Sequence, residues 1–525
     1  MSIIRVSFLL FLFAVMIAYY CVPKRMQWMV LLAGSAVFYL WSGAKTSVYI
    51  LITASSVYGA ARWLDALAAR QKAYLKENKE TLDRAAKAAY KDAMKKRRRA
   101  VLTACIVLNF GILFALKYFG FALDSLNAVL KALKITPIEN TSSLIVPLGI
   151  SFYTLQAVGY LVEVYWENAA AEKNYFRTLL FVTFFPQITQ GPISAYSQLA
   201  PQLFAEHDFK YENYARGFQR LLWGLMKKMV LANLLQPYIA NIFRNYMNYA
   251  GITVLLGIFA YSLQIYADFS GYMDIMCGAC EMLDIRLTEN FVRPYLSQNY
   301  SEYWRRWHIT LGEWFKKYVY YPIAIAKWNR KLGTRAKTRL GKLLPATIAL
   351  VITWFATGLW HGASWGYIAW GGINGAILIL SMWLEPFYER CRTALKMRDE
   401  SRGWKAFRIA RTFLLIAVIK VLPEVGSLRG GVRLILRAFT NFSLPRSFGA
   451  LIPFGSKMAF FPGMLLAAAL LIASDFIGCR VDLRERFNRL PIAARIALLT
   501  LLFFLVAAFG IPASSNMRGF MYANF

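Results

Sequence analysis

Three histidines occur in the chain, His207, His308 and His361. Imidazole is the side chain best matched to proton transfer near neutral pH, so each is weighed first as a general base. His361 closes an apolar run in Gly358-Leu359-Trp360-His361-Gly362-Ala363. An ionisable group at membrane depth marks a functional site by default; the alternative is a hydrogen bond to a neighbouring helix. His308 stands in Trp304-Arg305-Arg306-Trp307-His308-Ile309-Thr310, a cationic, aromatic stretch where structural and catalytic roles fit equally well. His207 lies in the polar run Ala205-Glu206-His207-Asp208 and reads as an exposed loop residue. Cys277-Gly278-Ala279-Cys280 has redox-motif spacing, but two small apolar residues one helical turn apart explain it better. No Walker motif, dinucleotide fingerprint or metal-ligand cluster accompanies these residues. The chemistry left to them is acid–base.

The elements that must position them are membrane helices. Of 525 residues, 58% are hydrophobic and 17% charged, against roughly 25% charged in ordinary soluble chains. Long apolar runs recur from end to end, which excludes a disordered, collagen-like or disulfide-framework protein. The reading is an all-α, polytopic membrane protein: one integral-membrane domain over 1–525 with about 11–12 transmembrane helices. Apolar runs fall near 4–22, 27–42, 46–63, 100–120, 143–165, 229–248, 251–268, 345–361, 365–384, 407–423, 458–478 and 491–511. Each is about long enough to cross ~30 Å of hydrocarbon. The first resembles a signal segment but lacks a small-residue cleavage site, so it is read as a retained span. Two regions fit poorly as spans. Residues 178–192 are broken by Pro186 and Gly191-Pro192. Residues 268–325 mix aromatics with Asp268, Asp274, Glu302, Arg305, Arg306 and His308. Interfacial or re-entrant helices are expected there, tolerated only where protein or a water-filled cavity covers the backbone.

Charge adds orientation. The net charge is +33, and 31 of the 61 Lys and Arg fall in four short segments: 70–99, 327–342, 389–411 and 480–489. Such a balance suggests nucleic acid in a soluble protein; grouped between apolar runs it marks cytoplasmic loops, and no nucleic-acid partner is expected. One orientation satisfies every basic loop. It puts the N-terminus outside, Lys24-Arg25 inside, and residues 66–99 inside as a basic amphipathic insertion facing solvent or lipid headgroups. With twelve spans the C-terminus is outside too; an odd count flips that end.

Several blocks then carry a resemblance. They are Pro147-Leu148-Gly149-Ile150-Ser151-Phe152-Tyr153-Thr154; Phe185-Pro186-Gln187 with Gly191-Pro192; Asp268-Phe269-Ser270-Gly271-Tyr272 with Asp274; and Asn290-Phe291 with Pro294-Tyr295. Trp304 to His308, and Gly358 to Ala363 with Trp370-Gly371, complete the set. In this order the blocks resemble the membrane-bound O-acyltransferase (MBOAT) family, in its branch that acylates bacterial surface polysaccharides. The likeness covers roughly 1–385; residues 386–515 match loosely, and the 70–99 loop is longer than the family leads one to expect.

The resemblance implies an MBOAT fold around a transmembrane tunnel, in a bacterial plasma membrane. It implies that His361 is catalytic and that His308 is the second important histidine, nearer the cytoplasmic entrance. Trp304, Arg305, Arg306, Trp307, Asp268, Ser270, Tyr272, Asn290 and Trp360 are then expected to line the tunnel or the donor site. The implied donor is an acyl thioester arriving from inside, acetyl-CoA, with no permanently bound cofactor and no metal. A thioester needs only an oriented hydroxyl, a base and a place for the oxyanion. Arg305, Arg306, Lys316 and Lys317 would hold phosphates of CoA or, equally, anchor to lipid headgroups.

The chain ends Phe520-Met521-Tyr522-Ala523-Asn524-Phe525. On composition alone this is an aromatic belt at headgroup level. The resemblance implies instead that 512–525 is an extracytoplasmic tail whose Tyr522 carries the acyl group. The function expected is passage of an acyl group, acetyl, from a cytoplasmic thioester across the membrane for O-acylation of an extracytoplasmic polysaccharide. A separate extracytoplasmic acyltransferase partner would complete delivery. The alternative is D-alanyl transfer to teichoic acid from a carrier protein. A transporter or flippase is the rival from another class; it often shows inverted repeats, and none is visible here.

Overall fold

The structure, a computed structural model, describes Ile4 and residues 6–139, 145–335, 338–396, 401–425, 427–445 and 447–511. Regular structure among them is helical, and the one β-type pairing is an isolated bridge between Phe291 and Trp307. The all-α expectation holds. Six helices among the described residues are long and apolar enough to cross a membrane: Arg84–Ala132, Gly251–Met282, Arg339–His361, Trp365–Trp383, Met458–Gly478 and Ile492–Phe509. A further apolar helix, Val6–Cys21, is shorter.

Some of the other apolar runs lie in helices that are shorter or more polar, for local reasons. The run 143–165 becomes helical only at Ile150, after Pro147 and Gly149. The run 229–248 is divided between a π-helical turn, Met226–Ala232, and Asn233–Arg244 with Pro237 inside it. The run 407–423 belongs to Arg402–Lys420, whose first half carries Lys405, Arg408 and Arg411. Polar interruptions shorten these stretches without removing the helices.

The chain divides into two compact units. The first comprises Val6–Tyr214 and Ala279–Leu287. Its core is the helix Ile150–Tyr165, buried from Ile150 to Val164, with Ser47–Glu77, Arg84–Leu113 and Tyr175–Thr183 packed against it. Ser47–Glu77 buries Ile50, Ala54, Val57, Ala61, Leu64 and Ala68, the three- and four-residue steps of one helical face. Gly149 starts the core helix at φ 71°, and a Cβ there would run into the Ile188 carbonyl oxygen.

The broken stretch is buried, as its backbone requires. Tyr175–Thr183 stops at Phe184 and a short helix, Phe185–Ile188, follows. Gln156 Nε2 donates to the Phe181 carbonyl at 2.8 Å and to Gln187 Oε1 at 3.1 Å, and Gln187 donates to Ser194 Oγ at 2.5 Å. Side-chain amides thus supply the partners that the break withdraws.

Residues 66–99 form the distal parts of two consecutive helices with a turn between them. Asp83 caps the second by accepting from Ala86 N at 2.6 Å, and Tyr74 stacks on Tyr90 with ring centroids 4.2 Å apart. The 31 residues of Ser47–Glu77 rise roughly 46 Å, well beyond ~30 Å of hydrocarbon. Glu167 takes Lys72 at 2.8 Å and Arg98 at 2.7 Å. Those partners, Lys72 first, hold its carboxyl below the usual range.

His207 corrects the sequence reading. It is buried, with Nε2 2.8 Å from the Gln202 carbonyl and Nδ1 3.3 Å from Asp284. Gln27 grips its backbone on both sides, at 2.9 Å each. Residues 27 and 284 are remote in sequence, so the polarity of the surrounding run could not reveal the enclosure.

The second unit comprises Ala215–Gly278 and the chain from Thr288 onward. Here Gly251–Met282 runs through Asp268 and Asp274 without a break, where an irregular segment is expected from 268. Enclosed cations make this possible. Lys228 pairs with Asp268, Lys227 reaches Asp274 at 2.5 Å, and Arg220 reaches Asp274 at 3.0 Å and both oxygens of Glu289 at 2.7 and 2.6 Å. Paired charges can stay in a helix of low polarity; unpaired ones could not. Beyond that helix come two short helices, Tyr300–Arg306 and Ile309–Phe315.

Candidate active site

The second unit brings two of the three histidines together. His361 is the last residue of Arg339–His361, and the chain turns through 362–364 into Trp365–Trp383. These helices meet backbone to backbone at Gly358, where a Cβ would lie 2.6 Å from the Tyr367 carbonyl oxygen and 3.2 Å from Gly371 Cα. That approach lets Trp370 reach His361, with ring centroids 5.0 Å apart, and lays Tyr367 parallel to the imidazole at 6.5 Å. Trp360 covers another side at 5.0 Å.

His308 comes from a different kind of element. It links Tyr300–Arg306 to Ile309–Phe315 with φ 48° and ψ 53°, a left-handed backbone that side-chain-bearing residues adopt rarely. Flanking bonds hold it there: Trp307 N to Tyr303 O at 2.9 Å, Ile309 N to Asn290 O at 3.1 Å and Gly312 N to His308 O at 3.1 Å. Backbone held in a sparsely populated region is a feature of functional sites. The His308 and His361 rings lie 6.5 Å apart.

Asn290 organises His308. Its Oδ1 accepts from Thr310 N at 2.9 Å and Thr310 Oγ1 at 3.0 Å, and His308 Nδ1 lies 3.4 Å away. A carbonyl oxygen facing Nδ1 places the ring proton there and leaves Nε2 as the basic nitrogen. Phe269 sets its edge against the same ring at 4.7 Å, and Trp360 approaches at 6.1 Å. Burial, then the charge of His361, holds the His308 imidazole well below its ordinary value. The arrangement offers two imidazoles side by side in one aromatic shell.

The other expected residues distribute around this pair. Trp304 bridges Trp354 at 4.7 Å and Trp370 at 5.8 Å. Trp307 packs on Phe291 at 4.9 Å and Tyr303 at 5.7 Å. Asp268 and Ser270 hold ammonium groups, of Lys228 and Lys227 respectively, and Tyr272 is fully buried. Arg306 pairs with Glu302 at 2.6 Å, while Arg305 is exposed with Nη1 on Ser301 at 3.0 Å. Lys316 and Lys317 are exposed on a π-helical turn, each over a tyrosine ring. Tyr522 and the tail lie outside the described residues. Among the described residues no group of three His, Cys, Asp or Glu could hold a metal.

Two features escape the sequence reading. One is the set of enclosed cations, buried Lys227 and Lys228 with half-buried Arg220. The other is Lys420, buried with Nζ 3.4 Å from the Trp307 ring centroid and bonded to the Tyr295 hydroxyl at 3.0 Å. Cation–π contact of this kind strengthens when desolvated. Each is a charge beside or within an apolar run, the signal that could have found them.

Residues 167–419 match the membrane-bound O-acyltransferase family. The chain is 34% identical over 317 residues to "Probable alginate O-acetylase AlgI" of Azotobacter vinelandii, covering 60% of this chain and 58% of that one. It is 31% identical to the peptidoglycan O-acetyltransferase of Helicobacter pylori, covering 54% and 55%. It is 29% identical to the teichoic acid D-alanyltransferase of Streptococcus thermophilus, covering 53% and 69%. The chain thus spans a little over half the length of the O-acetylating relatives.

Proposed function

We propose, from the match of residues 167–419 to the membrane-bound O-acyltransferase family, that this chain is an enzyme passing an acyl group from a cytoplasmic thioester to an extracytoplasmic polysaccharide. The observation that carries the proposal is the His308–His361 pair, 6.5 Å apart within that domain and closed in by Trp360, Trp370 and Phe269. Acetyl is the group favoured, because relatives named for O-acetylation match at 31–34% identity.

In the proposed step a hydroxyl oxygen attacks the thioester carbonyl while His361 takes its proton. The C–S bond then breaks, and the leaving thiolate receives the proton. His308, oriented by Asn290, holds the donor side of the site. The acceptor hydroxyl is that of Tyr522, a phenol with pKa near ~10 that needs a base at neutral pH. Its aryl ester is more activated than a sugar ester, so a second transfer outside runs downhill to a polysaccharide through a partner acyltransferase. Acetyl-CoA is the donor proposed. Exposed Arg305, Lys316 and Lys317 suit anionic lipid headgroups or donor phosphates.

Protein mass after incubation with candidate donors tests this reading. Acetyl on Tyr522 from acetyl-CoA supports it, and Tyr522→Phe should abolish both the label and surface acetylation while leaving the protein inserted. A D-alanyl adduct from a charged carrier protein would favour the chemistry named for the Streptococcus relative. No adduct from either donor, with normal surface acylation by Tyr522→Phe, would refute the relay.

A further inference from the structure

We propose that Arg293, Arg480 and Arg484 form a binding site for a phosphate group. They line a recess of about 430 Å³ in the second unit, where the segment following Asn290 meets the turn after Met458–Gly478. One acid, Asp482, shares the lining, and its carboxylate accepts from Arg484 N at 2.9 Å and Glu485 N at 3.1 Å. Three guanidinium groups against one carboxylate leave the recess cationic. Guanidinium forks match phosphate oxygens in pairs, which an ammonium cannot do.

The recess is built rather than incidental. Arg293 has φ 48° and ψ 57°, a left-handed backbone, immediately before Pro294. Its guanidinium lies directly on Gly478: a Cβ there would sit 2.5 Å from Nη2, 2.7 Å from Nε and 2.9 Å from Cζ. A glycine that gives way to an arginine, and an arginine held in a disfavoured backbone, are features that chain reversal alone does not require. Arg480 is set beside it by the turn, with its N–H on the Ile477 carbonyl at 3.0 Å. Arg484 Nη2 reaches the Arg216 carbonyl at 3.2 Å, which fixes that side chain.

The position suits a substrate-anchoring role. Arg293 is three residues from Asn290, and Val292 N between them bonds to the Arg306 carbonyl at 3.0 Å, so the recess and the support of His308 belong to one short segment of chain. The 480–489 segment is also among those whose basic character reads as cytoplasmic. Two sources of phosphate fit this chemistry: the nucleotide end of the thioester donor, or an anionic phospholipid headgroup. The nucleotide source rests on the function proposed above; the phosphate site itself does not.

The test uses the full chain in nanodiscs of phosphatidylcholine, titrated with adenosine 3′,5′-bisphosphate, and in parallel nanodiscs containing phosphatidylglycerol, scored for bound lipid. The native protein should bind at least one probe, and the double variant Arg293→Gln/Arg480→Gln should weaken it tenfold or more. Gly478→Ala, which keeps every charge but pushes the Arg293 guanidinium away, should weaken it as well. His361→Ala should bind like the native protein, so loss of acyl transfer and loss of phosphate binding are read separately. Loss confined to the nucleotide probe identifies the donor as the source; loss confined to phosphatidylglycerol identifies the lipid. Native-like binding of both probes by the double variant, eluting as a monodisperse species, or no binding of either by the native protein, would overturn the site.

Discussion

His308 is held by its backbone, by Asn290 and by the rings around it, and each restraint has a consequence at the scale of one side chain. Burial, and then the neighbouring charge of His361, keep its imidazole well below the ordinary value, near ~6.5. The folded pKa is lower than the unfolded one, so the unfolded chain binds the proton first as pH falls. Stability is therefore complete above ~6.5 and declines in acid below it. Melting temperature against pH should show a shallower acid decline for His308→Gln than for the native chain, and parallel curves would remove His308 from the account. Asn290→Ala should slow acyl transfer by freeing the ring to change tautomer, with a smaller loss than His361→Ala; an unaltered rate would show that the 3.4 Å contact orients nothing. The histidines themselves were legible in the sequence, because three in 525 residues leave few candidates. Their separation was not, since it depends on the Gly358 approach and on a left-handed residue that no local pattern announces.

Helices in this chain tolerate charge where a partner is built in. Lys228 and Asp268 are both almost fully buried, side chain against side chain. Lys228→Met should leave Asp268 uncompensated and destabilise the fold by roughly 3–5 kcal/mol, whereas Lys228→Met with Asp268→Leu should recover much of that loss. Denaturation of the single and double variants in one detergent decides it; equal losses would mean that the pair does not couple. The same pairing explains where sequence reading fell short. Asp268 and Asp274 looked like the end of a span because their partners, Lys227, Lys228 and Arg220, lie some forty to fifty residues earlier. The break at Pro186 was legible, since proline removes a helix donor wherever it stands. The glutamines that cover it, Gln156 and Gln187, were not.

For the molecule as a whole, composition identified a helical membrane protein, and the six long apolar helices agree with that class. Among the described residues the other apolar runs lie in shorter or more polar helices, because an apolar run does not report the proline, glycine or charge pairing that divides it. Orientation rests on the four basic segments, which predict Lys24, residues 70–99 and residues 327–342 on one face and Phe525 on the other. Single cysteines labelled from each side of sealed cells test this; labelling of a 70–99 position by an impermeant reagent in intact cells would reverse the orientation. The central claim, a His361-dependent attack on a thioester, is tested most directly by one rate. Purified native chain and His361→Ala, matched for insertion, are given acetyl-CoA, and free CoA and protein-bound acetyl are followed together. The native chain should release CoA as it gains acetyl, and His361→Ala should do both about 10²–10⁴-fold more slowly. Equal rates for the two proteins would contradict the account.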